Sequence, residues 1–219
     1  MGRAPAGKIR LSVSVAPSKV VEAYLSAYEK SGIIPLSFFV QAQGMLRSVC
    51  PRGFVGAHVI THTMRDKTGI YVVCDGVVCF TSTINIGSGT YDNAIAQVLG
   101  VAPDKVGDQV RLHGQNENID TKKIFDAVSP LLGTLKDEIG KVLTYWRSHH
   151  EDNEIKSVII AGREGLISGV LDHLARGTGV GFEVANVWLN VCSFDRYIPP
   201  IPADQAFDYA VAIGLAHKM

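Results

Sequence analysis

The sequence predicts an α/β fold, and three features carry that prediction. Three short strands follow one another over residues 55–62, 69–74 and 77–85, the last two joined by Asp75-Gly76, a pair that favours a tight hairpin turn. A long amphipathic helix then opens near Asp120, which can cap it, and carries Ile124, Val128, Leu131, Leu132, Leu135, Ile139, Val142, Leu143 and Trp146 along one face. Beyond it, IKSVIIA (residues 155–161) is the near-continuous apolar run of a strand buried on both faces, and a glycine turn leads from it into a further helix.

The remaining elements follow in chain order. KIRLSVSV (8–15) alternates polar and apolar residues like a half-buried strand. Pro17 suits the first turn of a helix with Val20, Val21, Tyr24, Leu25 and Tyr28 on one stripe, and Gly32 ends it. A second strand is expected from Ile33 to Val40, then a short helix from about Gln41 to Val49. CPRG, Cys50 to Gly53, breaks the chain and sets the expected division: residues 1–50 as a strand-helix-strand unit with a linking helix, residues 51–219 as the main domain. Within the latter, INIGSGT leads into a helix over about 91–99, and 101–118 is polar and interrupted by Pro103, Gly107 and Gly114. That stretch reads as a short helix and a loop, so about 101–150 forms a helical insertion. GREGLISGVLDHLARGTGV predicts a turn and an amphipathic helix ending at Gly177 or Gly179. The chain closes with the extended YIPPIP and a small-residue helix, QAFDYAVAIGLAHKM, where Gly214 costs about 1 kcal/mol against Ala unless close packing requires it.

Composition narrows the function. With 219 residues the chain can bury a real core, and 21 Lys+Arg against 21 Asp+Glu leave no field to draw it to nucleic acid or an anionic membrane. No run approaches the ~20 apolar residues of a membrane helix, and MGRAPAGK lacks both a secretory apolar region and a Ser or Thr at position 6 for myristoylation. A cytoplasmic location is expected. Cys50, Cys74, Cys79 and Cys192 show no CxxC spacing and read as reduced, structural cysteines. His149-His150 diverge by ~100° on a helix and predict no metal site, and no Ser/His/Asp or Cys/His arrangement is visible.

Four stretches stand out together: SVSVAPSKVVEAYLSAYEKSGIIPL; CDGVVCFTSTINIGSGTYDNAIAQVLGVAPDKVGDQVR; LLGTLKDEIGKVLTYW; and the set VIIAGREGLISGVLDHL, ANVWLN and FDYAVAIGLAHK. In this order they resemble the type IV pilus assembly protein PilM family, a relative of the cell-division protein FtsA within the actin-like superfamily. The resemblance implies an actin-like, RNase H-like second domain with a partial inserted βαβ subdomain from the first domain. It implies that the first domain's phosphate hairpin lies outside this sequence. The chain also stops directly after AIGLA, without the amphipathic tail of FtsA, which favours PilM.

By the same resemblance, a nucleotide would meet three places. At the second phosphate loop His62 stands where the family has Asp and Met64 where it has Gly, while Asp66 and Thr68 remain, though both are common in hairpin turns. VGDQVR places Asp108 and Arg111 at the ribose position, where they could equally form a surface pair. AGREG replaces a Gly-Gly adenine turn, leaving Gly162 and Gly165 as candidates and Arg163 where a base stacks. ATP with Mg²⁺ is therefore a possible cofactor, and none the preferred expectation. The expected role is a non-enzymatic scaffold that binds the cytoplasmic segment of a PilN-like inner-membrane protein through an apolar groove, with Val20, Tyr24, Phe38 and Gln41 as candidates. The membrane is reached only through that partner. The alternatives are an actin-like ATPase or phosphotransferase completed by another lobe, or an FtsA-like self-assembling module.

Overall fold

The structure, a computed structural model, describes residues 13–113, 119–150 and 153–216. At its centre is a five-stranded sheet of order β3-β2-β1-β4-β5, formed by β1 (Ala57–Thr63), β2 (Thr68–Cys74), β3 (Val77–Ile84), β4 (Ile155–Ala161) and β5 (Gly181–Val184). β1 pairs antiparallel with β2 and parallel with β4, and the outer pairs β2–β3 and β4–β5 are antiparallel and parallel in turn. Asp75 (φ 48°) and Gly76 (φ 82°) are both left-handed, the two-residue turn whose twist matches that of its flanking strands.

The helices are α1 (Ser18–Lys30), α2 (Gln41–Val49), α3 (Ser88–Leu99), α4 (Val106–His113), α5 (Ile119–His149), α6 (Val170–Ala175), α7 (Ala203–Ala206) and α8 (Ala210–Ala216). Helices α3 to α6 cover one face of the sheet. There Ile124, Val128, Leu132, Leu135 and Ile139 of α5 are fully buried against Val59, Val72 and Ile160, each such side chain stabilising the fold by about 1.5–3 kcal/mol. Trp146 ends the stripe and donates its indole N–H to the Asn153 carbonyl at 2.6 Å. The expected long helix is thus present, and it continues across Pro130, which has no N–H to give to the turn before it.

Helix α2 and the α7–α8 segment cover the other face, packing Met45, Val49, Phe207 and Ala210 on Ile60, Tyr71 and Ile159. Helices α2 and α8 cross at two glycines. A Cβ on Gly214 would land on the Gly44 carbonyl oxygen, and one on Gly44 would lie 2.9 Å from a Val211 methyl group. The interior glycine of α8 is therefore a site of backbone-to-backbone contact, as its cost predicted.

Several expectations are corrected. Residues 33–40 and 13–15 form no strand; the rest of the 8–15 strand lies outside the described residues. A strand exists through its ladder, and Val13, Val15, Ile34 and Leu36 are between 77% and 97% exposed with no strand beside them among the described residues. Within the expected 1–50 unit, helix α1 buries no residue. The helix after β4 is interrupted: Arg163–Leu166 make a 3₁₀ turn, and α6 begins only after Gly169, whose φ is 81°. β5 was not anticipated because it is four residues long and only half-buried. The last helix is compound, α7 and α8 joined by a 3₁₀ turn at Phe207–Tyr209, and residues 217–219 lie outside the described ones.

The glycine crossing makes a paired prediction. Gly214→Ala lowers unfolding stability by about 1–3 kcal/mol through overpacking. Gly133→Ala on α5, where a Cβ meets nothing within 4 Å, raises it by about 0.5–1 kcal/mol. Urea denaturation of both variants checks the contrast.

Candidate functional site

β1 and β4 run parallel, and the loops at their carboxyl ends converge with the start of α3, with α4 and with α7; in open α/β sheets this is where ligands bind. The β1–β2 turn is closed by the Met64 N–H donating to the Lys67 carbonyl at 2.9 Å. Its own carbonyls then serve α3: Ser88 N–H donates to Met64 O at 2.7 Å and Gly89 N–H to Arg65 O at 3.0 Å. Gly87 passes so close to these carbonyls that a Cβ would collide with them. The glycines of INIGSGT thus allow backbone to meet backbone, and two of the helix's N-terminal donors are spent inside the protein.

His62 and Thr63 at the end of β1 and Thr68 at the start of β2 find partners in the same way, whereas the buried Thr61 hydroxyl has none among the described residues. Thr63 donates to Glu164 Oε1 at 2.5 Å, and Thr68 donates to the Ile86 carbonyl at 2.7 Å and lies 3.4 Å from the Thr63 hydroxyl. His62 points to the opposite face, where Gln41 Nε2 lies 3.4 Å from its Nδ1 and the Phe207 carbonyl accepts from its ring. Burial pushes its pKa down to about 4, so the ring is neutral at pH 7. Gln41 Nε2 also donates to the Met64 sulfur at 3.1 Å.

The side chains above these loops form ion pairs. Arg163 reaches Asp92 at 2.9 Å, and Arg111 reaches the buried Asp204 at 3.2 Å and pairs with Asp108. Gly107 lies under both groups, a Cβ there being 3.5 Å from Arg163 and 3.6 Å from Asp204. Glu164 is 2% exposed, and its carboxylate fills the space a Gly162 side chain would need. Burial pushes the Glu164 carboxyl above the usual range despite the Thr63 hydrogen bond. Its Oε2, the Tyr91 hydroxyl and Arg163 Nε lack partners among the described residues, and these three residues share a cavity of about 10 Å³, room for one water.

The structure therefore brings Thr68, Asp108, Arg111, Gly162 and Gly165 to one end of the sheet, and leaves Asp66 exposed at the hairpin tip. Gly165 sits on the sheet, where a Cβ would be 3.0 Å from an Ile160 methyl group. Thr63, Tyr91, Asp92, Glu164 and Asp204 were missed. Only Glu164 carried a signal, as a carboxylate between two glycines directly after a buried strand.

A second concavity lies on the other side. A groove of about 620 Å³ runs between Val13 and Val15, the start of α2 at Val40 and Gln41, and the outer edge of β3 at Val78 and Thr81. Of the candidate partner residues, Gln41 lines it. Val20 and Tyr24 are exposed on α1, where Tyr24 and Tyr28 stack at 6.5 Å, and Phe38 is 46% exposed beside Phe39, whose ring carries the Arg47 guanidinium at 4.3 Å.

Two pH dependences follow. The folded pKa of His62 lies below its unfolded value, so its contribution is present above pH 6.5 and lost as pH falls towards 4, on the order of 2–4 kcal/mol. His62→Gln should flatten the stability profile across that window, read by denaturant titration. Glu164 has the opposite sign: its raised pKa contributes stability that is full below about pH 4.5 and declines as pH rises. Glu164→Gln should therefore gain on the wild type at pH 8, with the difference shrinking at pH 4.

Residues 36–219 match the protein family described as Type IV pilus assembly protein PilM. No curated protein matches the chain. Among solved structures, a PilM-PilN type IV pilus biogenesis complex aligns with a TM-score of 0.64 at 19% identity, over 91% of this chain and 57% of that one. MreB 5 of Spiroplasma citri bound to AMPPNP aligns with a TM-score of 0.66 at 12% identity, over 92% and 64%. The ethanolamine utilization protein EutJ from Carboxydothermus hydrogenoformans gives 0.54 at 14%, over 78% and 58%. The chain thus spans about three fifths of these structures' lengths, and their shared fold is the actin-like one. With five sixths of its length matched, the chain belongs to the PilM family of type IV pilus assembly proteins.

Proposed function

We propose that the chain is a non-enzymatic scaffold of type IV pilus assembly that binds the cytoplasmic segment of a PilN-like inner-membrane protein. In this reading it sits in the cytoplasm and meets the membrane only through that partner. Among the described residues no helix is long and apolar enough to cross a membrane, which is compatible with that arrangement. The observation that carries the proposal is the groove of about 620 Å³, which lies in a chain of the PilM family. It joins apolar Val13, Val15, Val40 and Val78 to polar Gln41, Thr81 and Thr83, the mixture an extended peptide meets with alternate side chains.

The residues of this lobe do not fit ATP and Mg²⁺. A neutral imidazole at His62 offers Mg²⁺ no carboxylate oxygen, the α3 donors that could cradle phosphate are given to Met64 and Arg65, and Arg163 is held over the adenine turn by Asp92. No group of three or more His, Cys, Asp or Glu suited to a metal ion occurs among the described residues.

Calorimetric titration tests both halves. A peptide of the PilN-like protein's cytoplasmic segment should bind, and Thr81→Arg or Val15→Asp, both at exposed positions, should weaken it by at least about tenfold, or 1.4 kcal/mol. Mg-dependent ATP binding of comparable strength by this chain alone would overturn the scaffold reading, as would peptide binding indifferent to both substitutions.

A further inference from the structure

Cys74 and Cys79 lie near the ends of the β2–β3 hairpin, five residues apart, and the hairpin's irregularity decides how they face each other. The ladder pairs Cys74 with Val77 and Val73 with Val78, then jumps to Val72 opposite Phe80, so Cys79 is the unpaired residue of a β-bulge. The bulge turns Cys79 towards Cys74, and the two thiols are in hydrogen-bond contact. Cys74 is fully buried, whereas Cys79 is exposed in the wall of the groove. The hairpin end is held in place: Gly56 N–H donates to the Asp75 carboxylate at 2.8 Å, Asp75 N–H to the Gly56 carbonyl at 3.2 Å, and the Asn153 amide to the Cys74 sulfur at 3.5 Å.

We propose that Cys74 and Cys79 form a peroxide-reactive dithiol that closes to a disulfide across the hairpin, whatever the groove binds. One thiol is accessible and the other is waiting behind it, the division of labour of an attacking and a resolving cysteine. The Cys79 thiolate attacks one oxygen of a hydroperoxide; the O–O bond breaks, giving the sulfenic acid and, after protonation of the leaving oxygen, water or an alcohol. The Cys74 sulfur then attacks the Cys79 sulfur, the S–O bond breaks, and the departing hydroxide takes the Cys74 proton to leave as water. Two thiols are oxidised and one peroxide is reduced. The approach needed for an S–S bond falls on Cys79, whose bulge position no ladder bond holds in register.

Hydrogen peroxide is the probe. The protein is treated with a stoichiometric amount, blocked with N-ethylmaleimide, digested without reductant and weighed by mass spectrometry. The peptide carrying both residues should lose two hydrogens, take up no maleimide, and recover both thiols with dithiothreitol. Cys74→Ala should instead leave a Cys79 sulfenic acid that dimedone traps. Because Cys79 is exposed, Cys79→Ser should fold normally and abolish the mass change. Wild-type protein in which Cys79 is oxidised while Cys74 remains a free thiol overturns the proposal. So does a bond from Cys79 to Cys50, to Cys192 or to a second chain, or a pair that does not react at all.

Discussion

Strand β1 is hydrogen-bonded on both edges and covered on both faces, and most of the molecule's polar architecture follows from what its last two residues are. His62 and Thr63 are at most 5% exposed, and their partners come from within the protein. Thr63 meets Glu164 across the sheet, drawing the turn after β4 against the end of β1. His62 faces the other layer and meets Gln41 at the start of α2 and the Phe207 carbonyl between α7 and α8. Three distant segments are therefore tied to one short stretch of strand by hydrogen bonds that have no solvent substitute.

The same ties account for the character of the carboxyl end of the sheet. In an open α/β fold this end collects loop donors and helix N-termini that are free to receive a ligand. Here the donors of α3 are taken by the hairpin's carbonyls, Glu164 occupies the space beside Gly162, and the guanidinium groups of Arg163 and Arg111 are engaged by Asp92, Asp204 and Asp108. Each contact is modest alone. Together they engage most of the charged groups there, leaving Glu164 Oε2, the Tyr91 hydroxyl and Arg163 Nε around one small cavity, and a ligand would have to exchange these internal contacts for its own.

Most of the sheet and its largest helix were legible because their signals are periodic and local. The three-strand opening, the α5 stripe and the doubly buried β4 all show in the order of apolar residues. The failures have a common cause as well. Residues 13–15, the described end of KIRLSVSV, and IPLSFFV have strand-like patterns, but a pattern describes only what a segment could bury, and neither has a strand beside it among the described residues. β5 erred the other way, since pairing with β4 makes a strand of four residues that alone would not be one. At the site, the departures at His62 and Met64 were visible as residue types, whereas Thr63 with Glu164 joins positions 101 apart and no spacing rule brings them together. The function of Gly87, similarly, is read only from the carbonyls above it.

β1 and β4 are apolar on both faces, with Val59 and Ile60 on one strand and Val158, Ile159 and Ile160 on the other. An alternating strand announces its register, because a slip by one residue exchanges its dry and wet faces. A strand that is dry on both sides loses that safeguard: shifted by one, it would still bury only hydrocarbon. The missing information is supplied by His62 and Thr63. Only one alignment sets Thr63 against Glu164 and His62 between Gln41 and Phe207, and every other would strand both side chains in the interior. The polar end of β1 thus acts as the index mark by which the middle of the sheet is aligned.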